Sequence, residues 1–364
     1  IQAILLEPFT PATELLRTCE AAVRVHDRLG DRKNKATARI KFVVKRLGAE
    51  AFRREVFAER EALPRYPYPD METTETDERP PVPRDIPAAP AAVGGAFNRW
   101  QATNVVPQKQ PGYSAVLIRL RLGDISSGQM RGLAGVIRRY CGGMVRVVIT
   151  QNLMLRWVRT EHVGALFGEL SALGLAETEA ERLADVTSCP GAETCQLGIS
   201  ASRGLARALE ERIKQAGISG PDVESVRIKV SGCPNSCGQH HIADIGFFGG
   251  AKKVHDRLVP HFQLLLGGFT AEGRAGFGQP VLKLPARRIP DAVIRMLELY
   301  RADRTSPQES FRSFALRAGL PYWKRQLEPF TTLPDYAAQP DAYRDWGAET
   351  EFTLGGMGPG ECAA

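Results

Sequence analysis

No stretch of the 364-residue chain approaches the roughly 20 consecutive apolar residues that a bilayer-spanning helix needs, so no membrane span is expected. The opening residues hold an apolar run, Ile4-Leu5-Leu6, without a basic flank or a small-residue cleavage site. No secretory leader is therefore expected, and the cytoplasm is the default compartment. The chain also lacks an initial methionine: it begins at Ile1, as a piece of a longer polypeptide or a processed chain would. No dense run of Lys and Arg with interleaved aromatics occurs, which speaks against a nucleic-acid face. There is no Gly-x-Gly-x-x-Gly at a strand–helix junction; Gly249-Gly250 and Gly267-Gly268 are too short to cradle a dinucleotide. An even set of cysteines is missing as well. The seven are Cys19, Cys141, Cys189, Cys195, Cys233, Cys237 and Cys362. An odd count without a leader argues against a disulfide framework.

What is present is an ordinary globular composition, 43% hydrophobic and 24% charged, in a chain long enough for two or three structural units. The net charge is +7 with a pI near 9.1, a balance that suits an acidic partner or a plain solvated surface.

Hydrophobic periodicity divides the chain. Residues 1–63 read as helices, with Leu15, Leu16, Cys19, Val23 and Val25 on one stripe stopped by Gly30. Ile40–Leu47 and Ala51–Leu63 follow, closed by Gly48 and Pro64. Residues 64–95 read as a stiff linker, because eight prolines from Pro64 to Pro90 forbid a regular element. Residues 96–180 show a strand at Ala115–Leu122, a helix at Ser127–Tyr140, strands at Val145–Thr150 and Leu153–Val158, and a helix at His162–Leu173. That order is the one of a ferredoxin-like half-domain. Residues 181–330 read as a second α/β unit, with strands at Val226–Val230, Ile242–Phe248 and Phe262–Leu266. A helix spans Ser202–Ala216, and residues 290–330 return to helix. The tail, 331–364, reads as an irregular surface strap. The fold class is thus α/β in the broad α+β sense.

Four cysteines carry the chemistry. Cys189-Pro190-Gly191-Ala192-Glu193-Thr194-Cys195 is C-x5-C, and Cys233-Pro234-Asn235-Ser236-Cys237 is C-x3-C. Thiolates are soft ligands for Fe–S clusters and zinc. A C-x5-C arm departs from the C-x2–4-C knuckles usual for structural zinc, and four thiolates are the ligand set of a 4Fe–4S cubane. Each pair sits in a Pro/Gly turn, where backbone N–H groups can face sulfur and stabilise its charge. The scattered Cys19, Cys141 and Cys362 read as inert thiols.

These segments resemble the assimilatory nitrite and sulfite reductases of the ferredoxin-dependent type. The likeness lies in Ser231-Gly232-Cys233-Pro234-Asn235-Ser236-Cys237-Gly238-Gln239, Ala243-Asp244-Ile245-Gly246-Phe247, Thr187-Ser188-Cys189-Pro190-Gly191 and Asn152-Leu153, and runs from about Leu15 to the C-terminus. The resemblance implies a siroheme/4Fe–4S domain at 181–330 behind the half-domain at 96–180, with 1–63 as the helical end of a preceding half. It implies that Cys189, Cys195, Cys233 and Cys237 hold the cluster, and that Cys237 is also the axial siroheme ligand. Asn235 and Leu197 are expected against the macrocycle. The implied reaction is the six-electron reduction of sulfite to sulfide or nitrite to ammonia. Ferredoxin or a similar protein would be the donor, and an N-terminal half would complete the enzyme. The alternatives are a non-catalytic iron–sulfur electron-transfer or cofactor-holding subunit, and a zinc-binding structural protein.

No substrate-binding residue is assigned from the sequence. Val148-Ile149-Thr150-Gln151-Asn152-Leu153 offers amides where the family's first half offers an arginine. Arg156, Lys229, Lys252, Lys253 and Arg257 read as solvated surface charges. His240-His241 reads as a proton relay or as packing, with His240 the histidine to test.

Overall fold

A computed structural model of the chain describes residues 3–34, 37–65, 68–69, 80, 86 and 94–354. Most of the expected linker at 64–95, and the end of the tail with Cys362, lie outside the described residues. The described residues form two compact units, one within 1–79 and one within 80–358. No helix among them is long and apolar enough to cross a membrane.

The first unit is helical: α1 (Ala12–Leu29), α2 (Ile40–Leu47) and α3 (Ala49–Ala62). Its core joins Ala21 and Val25 of α1 to Val43, Phe52 and Val56. The expected stripe on α1 is corrected here. Its buried residues are Thr18, Ala21 and Val25, whereas Val23 is 64% exposed and Leu15 37%. Positions spaced by three and four share a helix face. Thr18 can occupy that face because its hydroxyl donates back to Glu14 O (2.8 Å). Gly48, at φ +81°, makes the corner between α2 and α3 in a conformation that suits glycine.

The second unit begins with α4 (Gly95–Asn104). A four-stranded antiparallel sheet follows, in the order β1 (Val105–Pro107), β2 (Tyr113–Ile118), β4 (Leu153–Arg159), β3 (Arg146–Val147). Helices α5 (Ser127–Tyr140) and α6 (Val163–Ala172) pack on it through Leu133, Val136, Leu166 and Leu170, against Val116, Ile118 and Leu155. Helix α5 starts at a reciprocal cap: Ser126 Oγ accepts from Gln129 N–H, and Gln129 Oε1 accepts from Ser126 N–H. β2 ends at Ile118, earlier than the alternation suggests, and Leu122 turns the chain at φ +56°. β3 has only two residues.

A second, five-stranded mixed sheet follows. Its order is β11 (Gln279–Pro285), β8 (Arg257–Leu266), β7 (Ile245–Val254), β6 (Ile228–Ser231), β5 (Thr187–Ser188). β5, β6 and β7 run parallel, while β8 and β11 are antiparallel to their neighbours. Helix α7 (Ser202–Gln215) connects β5 to β6. With α8 (Ile289–Asp303) and α9 (Phe311–Leu327), it contributes Leu205, Leu209, Val293, Leu297, Phe314 and Trp323 to one core with Val230, Phe247 and Phe262. A short hairpin, β9 (Phe269–Ala271) and β10 (Arg274–Gly276), lies between β8 and β11.

Alternation in β6 sends Ile228 and Val230 into this core and Lys229 and Ser231 to the other face; all four residues are buried. A buried central strand has two dry faces, which is why β6 does not read as a simple apolar/polar alternation. The tail also differs from a surface strap. Tyr343 and Asp345 are buried, and Asp345 accepts from Ala201 N–H at the start of α7 (2.8 Å).

Candidate iron–sulfur centre

Both cysteine turns leave the same end of the same sheet. β5 pairs in parallel with β6, Thr187 facing Lys229 and Ser188 facing Val230. Cys189 follows β5 directly, and Gly232-Cys233 follows β6. Parallel neighbours deliver their carboxyl ends to one edge, the position where open α/β sheets build their sites.

The turns are interlocked through main chain and sulfur. Gly232 N–H donates to Cys189 Sγ (3.1 Å), and Ile199 N–H and Ser200 N–H both donate to Gly232 O (3.0 Å each). Cys195 N–H closes back on Gly191 O (2.9 Å). Ser202, the first residue of α7, donates its hydroxyl to Cys189 O (2.7 Å). The packing leaves no room for side chains at two glycines. A Cβ on Gly191, which sits at φ +59°, would fall 2.3 Å from Ser202 Oγ; one on Gly232 would fall 2.6 Å from Gly191 Cα. Cys189 and Cys233 are buried within this contact, and Cys195 and Cys237 are exposed.

Of the expected macrocycle contacts, Leu197 and Asn235 are half-buried in the two turns. The amides at 151–152 are spent on structure. Gln151 pairs with the Ser188 backbone, while Asn152 accepts from Leu120 N–H and donates to Asp185 (2.7 Å). Burial pushes the Asp185 carboxyl up, against the pull of nearby Arg119.

The five cations expected on the surface divide. Arg257 pairs with Glu351 and lies over the Tyr336 ring, Lys253 pairs with Asp256, Arg156 lies over Trp157, and Lys252 is exposed. Lys229 is the correction: it is 8% exposed, on the face of β6 opposite the apolar core, and donates to Gln239 Oε1 (3.0 Å). Burial, then nearby Arg227, pushes its ammonium down. His240 is fully buried against His241 and Phe248, with Nδ1 bonded to Ser231 Oγ (2.8 Å), and burial pushes its imidazole down to about 3. It is therefore neutral near pH 7. Its environment is that of a packed, hydrogen-bonded ring.

Of the scattered cysteines, Cys141 is buried, which pushes its thiol up to about 12, and Cys19 is exposed. The hydrogen-bonding roles of Ser202, Ser231 and Asp345 escaped the sequence reading. Serine beside a ligand motif carries no distinctive pattern, and Asp345 lies 144 residues from its partner Ala201. A cleft of about 350 Å³ beside Cys195, lined by Trp346 and Phe352, owes its wall to the same tail.

These residues suit a 4Fe–4S cluster by donor chemistry and surroundings. Four cysteine thiols stand in two interlocked turns, a peptide N–H is aimed at one sulfur, and the glycines bring main chain up to the site. Among the described residues no three His, Cys, Asp or Glu side chains converge on a single ion-sized point.

A mixed sheet carrying a paired-cysteine edge beside a ferredoxin-like half-domain defines a class of iron–sulfur redox protein. The chain belongs to the nitrite and sulfite reductase family. It matches the nitrite and sulphite reductase 4Fe–4S domain over residues 1–64 and 179–330, and the nitrite/sulfite reductase ferredoxin-like half domain over 106–173. The cofactors of that family are a 4Fe–4S cluster and siroheme. It is 30% identical over 271 residues to a chloroplastic ferredoxin–nitrite reductase of Zea mays, covering 73% of this chain and 44% of that protein. It is 28% identical over 318 residues to sulfite reductase [ferredoxin] 1 of Mycolicibacterium paratuberculosis, covering 86% of this chain and 53% of that one. The structure of Mycobacterium tuberculosis NirA protein matches with a TM-score of 0.65 at 25% identity, over 88% of this chain and 55% of that one. The chain thus spans about half, or less, of the relatives it matches.

Proposed function

We propose that this chain is the cofactor-carrying, C-terminal portion of a reductase that takes sulfite to sulfide or nitrite to ammonia, with six electrons consumed per anion and delivered singly. The single observation that carries the reading is the meeting of the two cysteine turns, with Gly232 N–H donating to Cys189 Sγ across adjacent parallel strands. In this reading Cys189, Cys195, Cys233 and Cys237 would hold the cluster, and Cys237 would also hold the siroheme. Asn235 and Leu197 border the macrocycle. The cluster and siroheme supply the electron storage and the metal centre at which the anion is reduced.

The chain's own groups would do the rest. The Cys189 turn is held in register by Ser202 and Gln151, and the Gly232 N–H stabilises thiolate charge. Fixed cations near the anion are needed for binding and for charge developed during reduction. Arg257 and Lys253 are engaged in ion pairs, and we place these cations in the N-terminal half of the enzyme, where the family resemblance puts them. Ferredoxin, named in the matched relatives, fits as donor, and the +7 net charge suits an acidic partner. A cytoplasmic location belongs to the same proposal, since a reducing compartment keeps thiols reduced.

The test is anaerobic purification of the whole polypeptide, or of this chain with its missing half supplied in trans, followed by viologen-driven reduction of both anions. Turnover of either, with tetrapyrrole absorbance and a reduced-cluster paramagnetic signal, supports the reading. A loaded protein that reduces neither overturns it and leaves a non-catalytic electron-transfer role.

A further inference from the structure

The strand that delivers the second cysteine turn also grips the arm leaving it. β6 ends at Ser231, the chain runs out through Cys233 and Cys237, and it returns beneath the same strand at Gly238. Three successive residues after Cys237 are tied down. Gly238 N–H donates to Ser231 Oγ (3.1 Å), the Gln239 side chain accepts from Lys229 Nζ (3.0 Å), and His240 Nδ1 bonds Ser231 Oγ (2.8 Å). Both anchors project from the same face of β6, two residues apart, and both are buried. A Cβ on Gly238 would fall 2.1 Å from Val230 O, so the arm lies flat on the strand.

The arm needs such anchorage. Ser236 and Gln239, on either side of Cys237, sit at φ +64° and +62°, where a side chain is disfavoured by about 1 kcal/mol or more. Conformations of that kind persist when the surroundings over-determine them. Cys237 itself is exposed, so its own packing does not fix its sulfur. Ser231 Oγ accepts from Gly238 N–H, and its own proton is free to go to His240 Nδ1. In that arrangement the ring proton sits on Nε2, which is buried without a partner among the described residues.

We propose that Lys229, Ser231 and His240 are positioning residues for Cys237, setting the direction from which its sulfur meets the two metal centres. The proposal rests on the reading of Cys237 as the shared ligand. A sulfur on a loose arm would still bind iron but would couple cluster and siroheme poorly. The clamp therefore bears on electron delivery more than on cofactor retention.

The experiment uses the whole holoenzyme, with Ser231→Ala, Ser231→Thr, Lys229→Met and His240→Gln variants. Iron and siroheme content are measured, along with the magnetic spectrum of the coupled centres and kcat and KM separately. Loss of one net hydrogen bond of about 1 kcal/mol corresponds to about fivefold more opening of the arm. Ser231→Ala is expected to keep its cofactors, broaden or split the coupled spectrum and lower kcat by up to about fivefold with KM unchanged. Ser231→Thr, which retains the hydroxyl, should restore both. Wild-type spectra and kcat in Ser231→Ala and Lys229→Met together overturn the proposal. If Ser231→Ala does not fold, Lys229→Met carries the test: an altered spectrum supports the clamp and an unaltered one overturns it. Cys237→Ser is the control for the underlying reading. If it leaves the spectrum unchanged, the shared-ligand assignment fails and the clamp loses its object.

Discussion

Gln151 and Ser188 are joined as two strands would be, by one side chain imitating a backbone. Gln151 Nε2 donates to Ser188 O (2.7 Å), and Gln151 Oε1 accepts from Ser188 N–H (3.0 Å). Ser188 is the last residue before Cys189 and lies on β5, at the edge of its sheet. The amide therefore occupies the open edge of that strand and ties the half-domain to the first cysteine turn. Gln151→Glu keeps the acceptor and sets a second oxygen against Ser188 O. It should lower stability by about 1–3 kcal/mol and raise amide exchange through the 188–195 turn. Unchanged exchange there would show that the edge needs no such cover.

Close approach at the cysteine turns gives a second expectation. Gly232→Ala places a methyl 2.6 Å from Gly191 Cα and 2.7 Å from Ser200 O, both main chain. Backbone cannot rotate away as a side chain can. A loss of about 1–3 kcal/mol is expected, with poorer cluster uptake. Gly135→Ala in α5 meets nothing within 4 Å and should be neutral or slightly stabilising. Denaturant unfolding of both variants compares them directly, and equal effects would refute the packing argument.

Thiol reactivity tests the ligand assignment without turnover. In protein stripped of metal, the exposed Cys195 and Cys237 should alkylate quickly, and buried Cys189 and Cys233 slowly. Cys141 should stay unlabelled at neutral pH, because burial lifts its thiol to about 12. Loading the cluster should protect Cys195 and Cys237 while exposed Cys19 still reacts. Mass spectrometry of the labelled peptides reads this out. Equal labelling of Cys195 and Cys237 before and after loading would remove them from the ligand set.

His240 predicts a pH dependence of stability. Burial, with His241 beside it, holds its imidazole at about 3, below the ordinary histidine value of 6.5. Between those values the unfolded chain takes up a proton that the folded chain refuses. This contribution to stability is therefore present above 6.5 and lost as pH falls towards 3. Going from about pH 7 to about pH 5.5 should cost about 1 kcal/mol from this group. His261, also pushed down by burial, acts in the same direction. The difference between the parent and His240→Gln isolates the His240 share. An equal loss of unfolding free energy between the two pH values in parent and variant would rule it out.

Elements with a clean local signature were legible in the chain. Helices α2 and α7 lie within a residue of the expected spans, with Gly48 closing α2. The half-domain order of strand, helix, two strands and helix was also readable from periodicity. β1 and β11 were not read: β1 has three residues, and β11 is interrupted by an irregular register near Pro280. The stripe on α1 was misread because Thr18 meets its own hydrogen-bonding need within the helix. Lys229 looked like a surface charge because only the second covered face of β6 hides it, and that cover comes from residues after Cys237.

The identity of the metal-binding groups and the turns that carry them were settled by local order along the chain. Thiolate softness and the turn preferences of Pro and Gly act over a few residues. That the two turns meet was decided by parallel pairing of β5 with β6, which brings Gly232 N–H to a sulfur 43 residues away. Which cations are engaged, which serine fastens the Cys237 arm, and how the tail reaches Ala201 were likewise decided in three dimensions. Hydrogen bonds and burial depend on distance in space, and nothing in the spacing of residues along the chain encodes them.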